Sequence, residues 1–531
     1  MTDRSGLRAP STRDRAARPL EVRVESGVLR GRRDGDRVSW RGIPYGRAPT
    51  GALRFRAPQP PEPWTGVRDA TEYGLVAPQA LRGQFRGVGP GVPSGEDCLN
   101  LDVTAPAEPQ RDALPVMVWI HGGGYSTGSS REGIAQENGF VGSGRVVFVS
   151  INHRLNALGY LDFTGYATGE RPIENNLGLR DQAAALRWVR DNIAAFGGDP
   201  DDVTVFGESA GGNAIVALLT MPSTAGLFAR AIAQSPPVNA FYSSDLAALW
   251  AAEFLEILRE QVGDPAGRSP HAGRSTASAL ELLTTTPATD LVTASVTLQI
   301  RTPSTYPGTF CLAPVVDGDL LPEPPLTAMR AGRAHRVPLI LGTNAREGAL
   351  FRGRLDILPR SPQRMRSVFR QAPVDAWAPM RAAYPGLPAR RPAADFAGDF
   401  GFWFPSVRMA DHQSQFVPVH AYRFDAAPRL LRVAGLDATH GVEVPALFEQ
   451  AESPLVRAMS ILGGGAAFMR AGKRMQQHWL DFATTGTVSD AWPRYTQNER
   501  LTLIIDDDED RVEADPRREK RLIWERFLPA L

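Results

Sequence analysis

Residues Asp202–Gly212 read DVTVFGESAGG, and the sequence on either side decides how they fold. The apolar run VTVF has the length and character of a buried strand. Beyond Ser209, the stretch AGGNAIVALL (residues 210–219) is small and apolar, as a closely packed helix would be. Gly207-Glu-Ser209-Ala-Gly211 therefore fits G-x-S-x-G at a strand-to-helix turn. That turn exposes a strained serine above a sheet, and its flanking glycines let strand and helix approach. Ser209 is the candidate nucleophile. A second match, Gly124-Tyr-Ser126-Thr-Gly128, is followed by TGSSREG, which starts no convincing helix. Its glycines belong to His121-Gly-Gly-Gly124 after the strand VMVWI, a turn whose free amides suit a developing oxyanion.

Working outward, Val116–Ile120, Val146–Asn152, Ala229–Gln234 and Val337–Gly342 are further strand-length apolar runs. Asn176–Phe196 carries Leu179, Ala183, Leu186, Val189 and Ile193 at helical spacing. Strands alternating with helices predict an α/β fold with a large, mostly parallel sheet and helices on both faces. The segment Glu21–Trp40 alternates and breaks at glycines, as an antiparallel meander would. Residues 47–66 and 263–278 are surface connections by composition. Residues 360–412 look helical and aromatic, an insertion above the sheet. Residues 1–20 are Arg-rich without an apolar core and read as a disordered tail before a single domain from residue 21 to 531.

Composition removes several function classes. The 531 residues are 43% hydrophobic and 22% charged, with 59 basic against 58 acidic side chains and a net charge of +1. No overall field draws the chain to nucleic acid or an anionic membrane. Two cysteines, Cys98 and Cys311, make a disulfide scaffold or zinc cluster unexpected. The run DDDED at Asp506–Asp510 lacks the alternation of a calcium loop and reads as a solvated turn. No secretory leader or membrane-length apolar run is visible, so the expected address is cytoplasmic.

For such a serine the partners follow in the order acid, then histidine. Six histidines come after Ser209: His271 in a polar loop, His335 before a strand, His420 within one, His412 and His478 in helical patterns on partly exposed faces, and His440 in the loop AGLDATHGVEVP after the strand VPVHAYRF. A loop at a strand's carboxyl end is where α/β folds keep their chemistry, which favours His440. Glu347 follows the strand VPLILGT and is the expected acid. Asp317 and Asp319 in VVDGD sit in a turn, and Asp437 is too close in sequence to His440 to reach across to it.

These residues, with GEDCLNLDV, NHRLN, NLGLRDQAAALRWVRDNIAAFGGDPDDVTVFGESAGG, LGTNAREGALF, HGVEVPALF and the late WLDFATTG, resemble the type-B carboxylesterases, the carboxylesterase and cholinesterase branch of the α/β-hydrolases. The resemblance runs from about Glu21 to Phe527. It implies a cofactor-free hydrolase of carboxylic esters. Nucleophile, acid and base fall on Ser209, Glu347 and His440, and the oxyanion amides on Gly123, Gly124 and Ala210. The preceding acid, Glu208, falls at a substrate-binding position. It also implies a structural ion pair between Glu96 and Arg154. The chain departs from the family pattern at Ala77, where a cysteine often pairs with the Cys98 position, so Cys98 is expected as a free thiol. Arg346 replaces the usual Asp before the acid, and Pro236 replaces a glycine after AIAQS. No Trp lies between Ala77 and Cys98, only Phe85, so choline esters are poor candidates. The expected reaction is acyl transfer through Ser209 on small to medium uncharged esters. The alternatives are a lipase or amidase on the same site, or a non-catalytic interaction protein on this scaffold. No metal is expected, and the sequence leaves the oligomeric state open.

Overall fold

A computed structural model describes residues 18–81, 88–131, 136–263, 278–353 and 356–529. The expected tail up to residue 17, His271 with its loop, and Phe85 lie outside these residues.

Eleven strands form the main sheet: β1 (Arg32–Asp34), β2 (Arg37–Pro44), β3 (Asn100–Pro106), β4 (Leu114–Ile120), β5 (Val147–Ile151), β6 (Gly198–Glu208), β7 (Arg230–Gln234), β8 (Leu339–Asn344), β9 (Val419–Phe424), β10 (Leu501–Ile505) and β11 (Asp510–Ala514). Their spatial order is β11-β10-β9-β8-β7-β6-β4-β5-β3-β2-β1. Pairing is parallel from β5 through β4, β6, β7, β8 and β9 to β10. It is antiparallel at both edges. Such a mixed sheet follows from the sequence, because the central strands are buried on both faces and carry unbroken apolar runs.

Alternation along those strands divides the core in two. Val116, Val118 and Ile120 of β4 point to one face, with Val203 and Val205 of β6 and Leu339 and Leu341 of β8. Met117 and Trp119 point to the other, with Phe206 and Ile340. On the first face pack α1 (Leu177–Asn192), α2 (Ala210–Leu218), α3 (Ser244–Gly263) and α4 (Ala288–Thr305). The expected insertion is helical: α5 (Pro362–Gln371), α6 (Trp377–Ala383), α7 (Arg390–Gly398) and α8 (Phe404–Gln413). Then α9 (Gly465–Thr485) covers the second face through Phe468, Met475, Trp479 and Phe482. The last helix, α10 (Arg518–Phe527), sends Trp524 and Phe527 into the insertion's own aromatic core beside Phe369, Phe396 and Trp403.

Four expectations are corrected. The meander splits, because Glu21–Val24 and Gly27–Arg30 pair in a separate three-stranded sheet while β1 and β2 edge the main one. The tail is anchored earlier than expected: Arg18 is buried and donates to the carbonyls of Pro106 and Phe196. His412 is buried in α8, not on an exposed face. Glu96 and Arg154 do not pair with each other. Glu96 receives Arg54 Nε at 2.8 Å, while Arg154 meets Asp181 through Nε (2.8 Å) and Nη2 (2.6 Å). Burial explains this choice. Arg154 and Asp181 are both enclosed, and a buried guanidinium needs a two-pronged carboxylate to offset its desolvation. Removing one partner strands the other charge. Asp181→Ala is therefore expected to destabilise the fold by about 3–5 kcal/mol, read as a lower urea midpoint.

Candidate active site

The turn after β6 supplies the centre of the site. Ser209 has φ 57° and ψ −118°, outside the helical and extended basins, a conformation that costs on the order of 1–3 kcal/mol and is held by its surroundings. The amide of Ser209 donates to Gln234 O at 2.9 Å, and its carbonyl accepts from Asn213 N at 2.8 Å. Gly211 is required there: a Cβ would lie 2.1 Å from the carbonyl oxygen of Ile120, so only a bare α-carbon lets α2 press against the end of β4.

Three side chains from distant elements converge. The Ser209 hydroxyl donates to Nε2 of His440 at 2.8 Å. Nδ1 of His440 donates to Oε2 of Glu347 at 2.6 Å. Glu347 begins the turn after β8, and its Oε1 accepts from Ser235 Oγ (2.7 Å) and from the Asn344 amide (2.6 Å). Those bonds fix the carboxylate, which in turn fixes the ring. Glu208 stands with Oε1 3.3 Å from Nε2 of His440 and does not line the cavity beside Ser209. The carboxylate expected at the substrate thus stands against the imidazole.

The electrostatics follow from this crowd of carboxylates. Burial works against a charged His440, but the negative charges of Glu208, Glu347 and Glu443 outweigh it and push the imidazole up to about 9. Glu443 is fully enclosed and held by Asn344 Nδ2 at 2.7 Å. Its own pKa is raised by burial and by Glu347. By contrast His121 and His153, ring-stacked at 4.6 Å, are driven down by burial to about 3 and 4 and stay neutral.

Gly124 and Ala210 line the same cavity as Ser209. Gly123 (φ +101°) and Gly124 (φ +60°) occupy left-handed conformations that favour glycine. Among the described residues no protein group accepts from the amides of Gly123, Gly124 or Ala210. The remaining wall is largely apolar: Pro237, Phe310, Leu312, Phe351, Ile357 and Phe402. Phe351 and Phe402 also pack on the imidazole, with centroids 5.2 and 4.4 Å away.

The competing candidates lie elsewhere. Ser126 donates to Gly123 O and, among the described residues, has no histidine partner. His335 meets the Met221 carbonyl, and His478 meets Asp510. His420 packs on Trp492, and Asp317 accepts from Asn176. Asp437 pairs with Arg346 at 2.6 Å. Arg346 thereby ties the turn of Glu347 to the loop before His440, and through Asp395 (2.7 Å) to α7. Sequence reasoning missed Ser235, Asn344 and Glu443. Of these only Glu443, three residues after His440, had a signal, and it read as an ordinary first-turn carboxylate.

A serine on a strained strand-to-helix turn, above an eleven-stranded mixed sheet flanked by helices, defines an α/β-hydrolase. The model of the carboxylesterase family matches residues 18–524. Para-nitrobenzyl esterase of Bacillus subtilis (strain 168) is 36% identical over 514 residues, 94% of this chain and 97% of that protein. Fumonisin B1 esterase of Sphingopyxis macrogoltabida is 30% identical over 493 residues, 89% and 84% respectively. A solved PNB esterase superposes with a TM-score of 0.80 at 35% identity, covering 95% of this chain and 99% of that one. The chain belongs to the carboxylesterase family, and it is an enzyme that hydrolyses carboxylic esters.

Proposed function

We propose that ester hydrolysis here proceeds through an acyl-enzyme on Ser209, with His440 as base and Glu347 as its orienting acid. The observation that carries this reading is the unbroken series of short bonds from the Ser209 hydroxyl through His440 to Glu347. His440 takes the hydroxyl proton as Oγ attacks the ester carbonyl. The developing oxyanion is met by the amides of Gly123, Gly124 and Ala210. The imidazolium is stabilised by Glu347 and returns the proton to the departing alcohol. Water, activated by the same ring, then frees the acid.

The apolar wall around Ser209 favours small to medium uncharged acyl groups, because a charged one would lose its hydration without a partner. The two cysteines, both free and buried, fit the cytoplasmic address expected from the sequence. Among the described residues no helix is long and apolar enough to cross a membrane. A fluorophosphonate is expected to label the peptide carrying Ser209 stoichiometrically and to abolish turnover. Labelling elsewhere, with activity retained, would sink the assignment. A p-nitrophenyl ester series is expected to peak at short to medium acyl chains and to fall for long ones.

Glu208 gives this reading a pH signature. Nε2 must be free of its proton to accept one from Ser209, so activity rises as pH climbs through the pKa of His440. Because that value is raised, the acid limb of kcat/KM is expected to lie above the ordinary histidine range of about 6.5. Glu208→Gln removes a nearby negative charge and should move the inflection to lower pH. A profile that stays in place would show that Glu208 does not act on the ring.

A further inference from the structure

Behind the turn of Glu347 lies a second cleft of about 200 Å³, lined by Arg346, Arg352, Arg360, Arg390, Arg391 and small residues of α7 and the loop at Ala434–Gly435. Five guanidinium groups meet here. Arg346 is engaged by Asp395 and Asp437, and Arg391 approaches Asp437 at 3.5 Å. Among the described residues, Arg352, Arg360 and Arg390 have no carboxylate within ion-pair distance, the nearest influence being Asp356 on Arg360. The Nε of Arg360 is buried and meets no acceptor. Burial, and the like charges of Arg390 and Arg352, both act against the charge of Arg360.

The nine-residue α7 begins at an alanine cap without a side-chain acceptor, and its first two positions are Arg390 and Arg391 with no acid in the first turn. A helix amino terminus already carries about half a positive charge, so arginines there are of the wrong sign for stability. The unpaired guanidiniums, the orphaned buried donor and the uncapped helix end all lack the same thing, negative charge with several acceptor oxygens.

We propose that this cleft binds a multivalent phosphoryl oxyanion between Arg352, Arg360, Arg390 and the first turn of α7. Phosphate geometry suits forked guanidinium donors and the amides of Arg390 and Arg391 alike, while Pro392 at the third position of α7 offers none. Bound there, it bridges three segments: the turn after Glu347 through Arg352, the stretch before α5 through Arg360, and α7 through Arg390.

The test is thermal unfolding of the full chain with increasing pyrophosphate, against sodium chloride at matched ionic strength. The expected result is a saturable rise in Tm with pyrophosphate beyond that with chloride. The double variant R390Q/R391Q is expected to melt higher than the parent without anion, because unfavourable charge has left the helix end, and to lose the saturable rise. Should that variant misfold, R352Q, on an exposed loop, serves the same purpose. A rise no larger than that given by chloride, or one undiminished in the variants, would overturn the proposal. Inorganic phosphate and ADP separate the sources. Equal affinity assigns the site to the free ion, and tighter ADP binding assigns it to the phosphoryl end of a larger molecule.

Discussion

Ser209→Ala is expected to lower ester turnover by roughly 10⁶, the scale seen when a nucleophile acting as one unit with its base is removed. The residual rate should come from the amides of Gly123, Gly124 and Ala210 and from binding, with KM little changed, because the apolar side chains of the cavity wall are untouched. The fold should survive. The Ser209 side chain makes its hydrogen bond to His440, while the elbow is held by backbone bonds to Gln234 and Asn213 that alanine preserves. Turnover and unfolding midpoint measured on the same preparation separate the two effects. A variant with unimpaired turnover would place the chemistry on another residue.

The second large effect is expected at Glu347. Glu347→Gln keeps the shape but replaces a carboxylate oxygen facing Nδ1 by an amide. The ring then loses both its fixed tautomer and the charge that stabilises the imidazolium, which in comparable sites lowers kcat by about 10⁴. KM should hold, since Glu347 does not line the cavity. The amide also meets Ser235 Oγ and the Asn344 amide, so one of these bonds is reorganised and a modest stability loss accompanies the kinetic one. A drop confined to KM would mean that the residue acts on substrate binding and not on the ring.

The contrast between what sequence order reveals and what it hides is physical. Val116–Ile120 and Ala229–Gln234 were readable as strands because a strand enclosed by helices on both faces is largely apolar. Ser209 was readable because a strained turn permits few residue types around it. The partner of Arg154 was not. Asp181 sits in the helical run GLRDQAA, where a carboxylate ordinarily faces water, and only the docking of α1 under residue 154 encloses it. Glu96 went to Arg54 for the same reason, the distance between side chains being set by the packed fold and not by spacing along the chain. The meander at Glu21–Trp40 was legible as alternation, but alternation does not say which sheet receives each hairpin. Glu443 gave no sign of enclosure, because its companions Asn344 and Gln234 lie about 100 and 200 positions upstream.

The docking of α10 on the insertion ties the last helix to the wall of the cavity beside Ser209. Trp524 and Phe527 complete the aromatic cluster of helices that continue into Phe402, and Phe402 forms one wall of the reaction chamber. Residues 518–527 thus lie about 300 positions from Ser209 in sequence, yet they back the insertion that carries Phe402. Loosening α10 is therefore expected to reach the cavity through the insertion as well as to lower the unfolding midpoint.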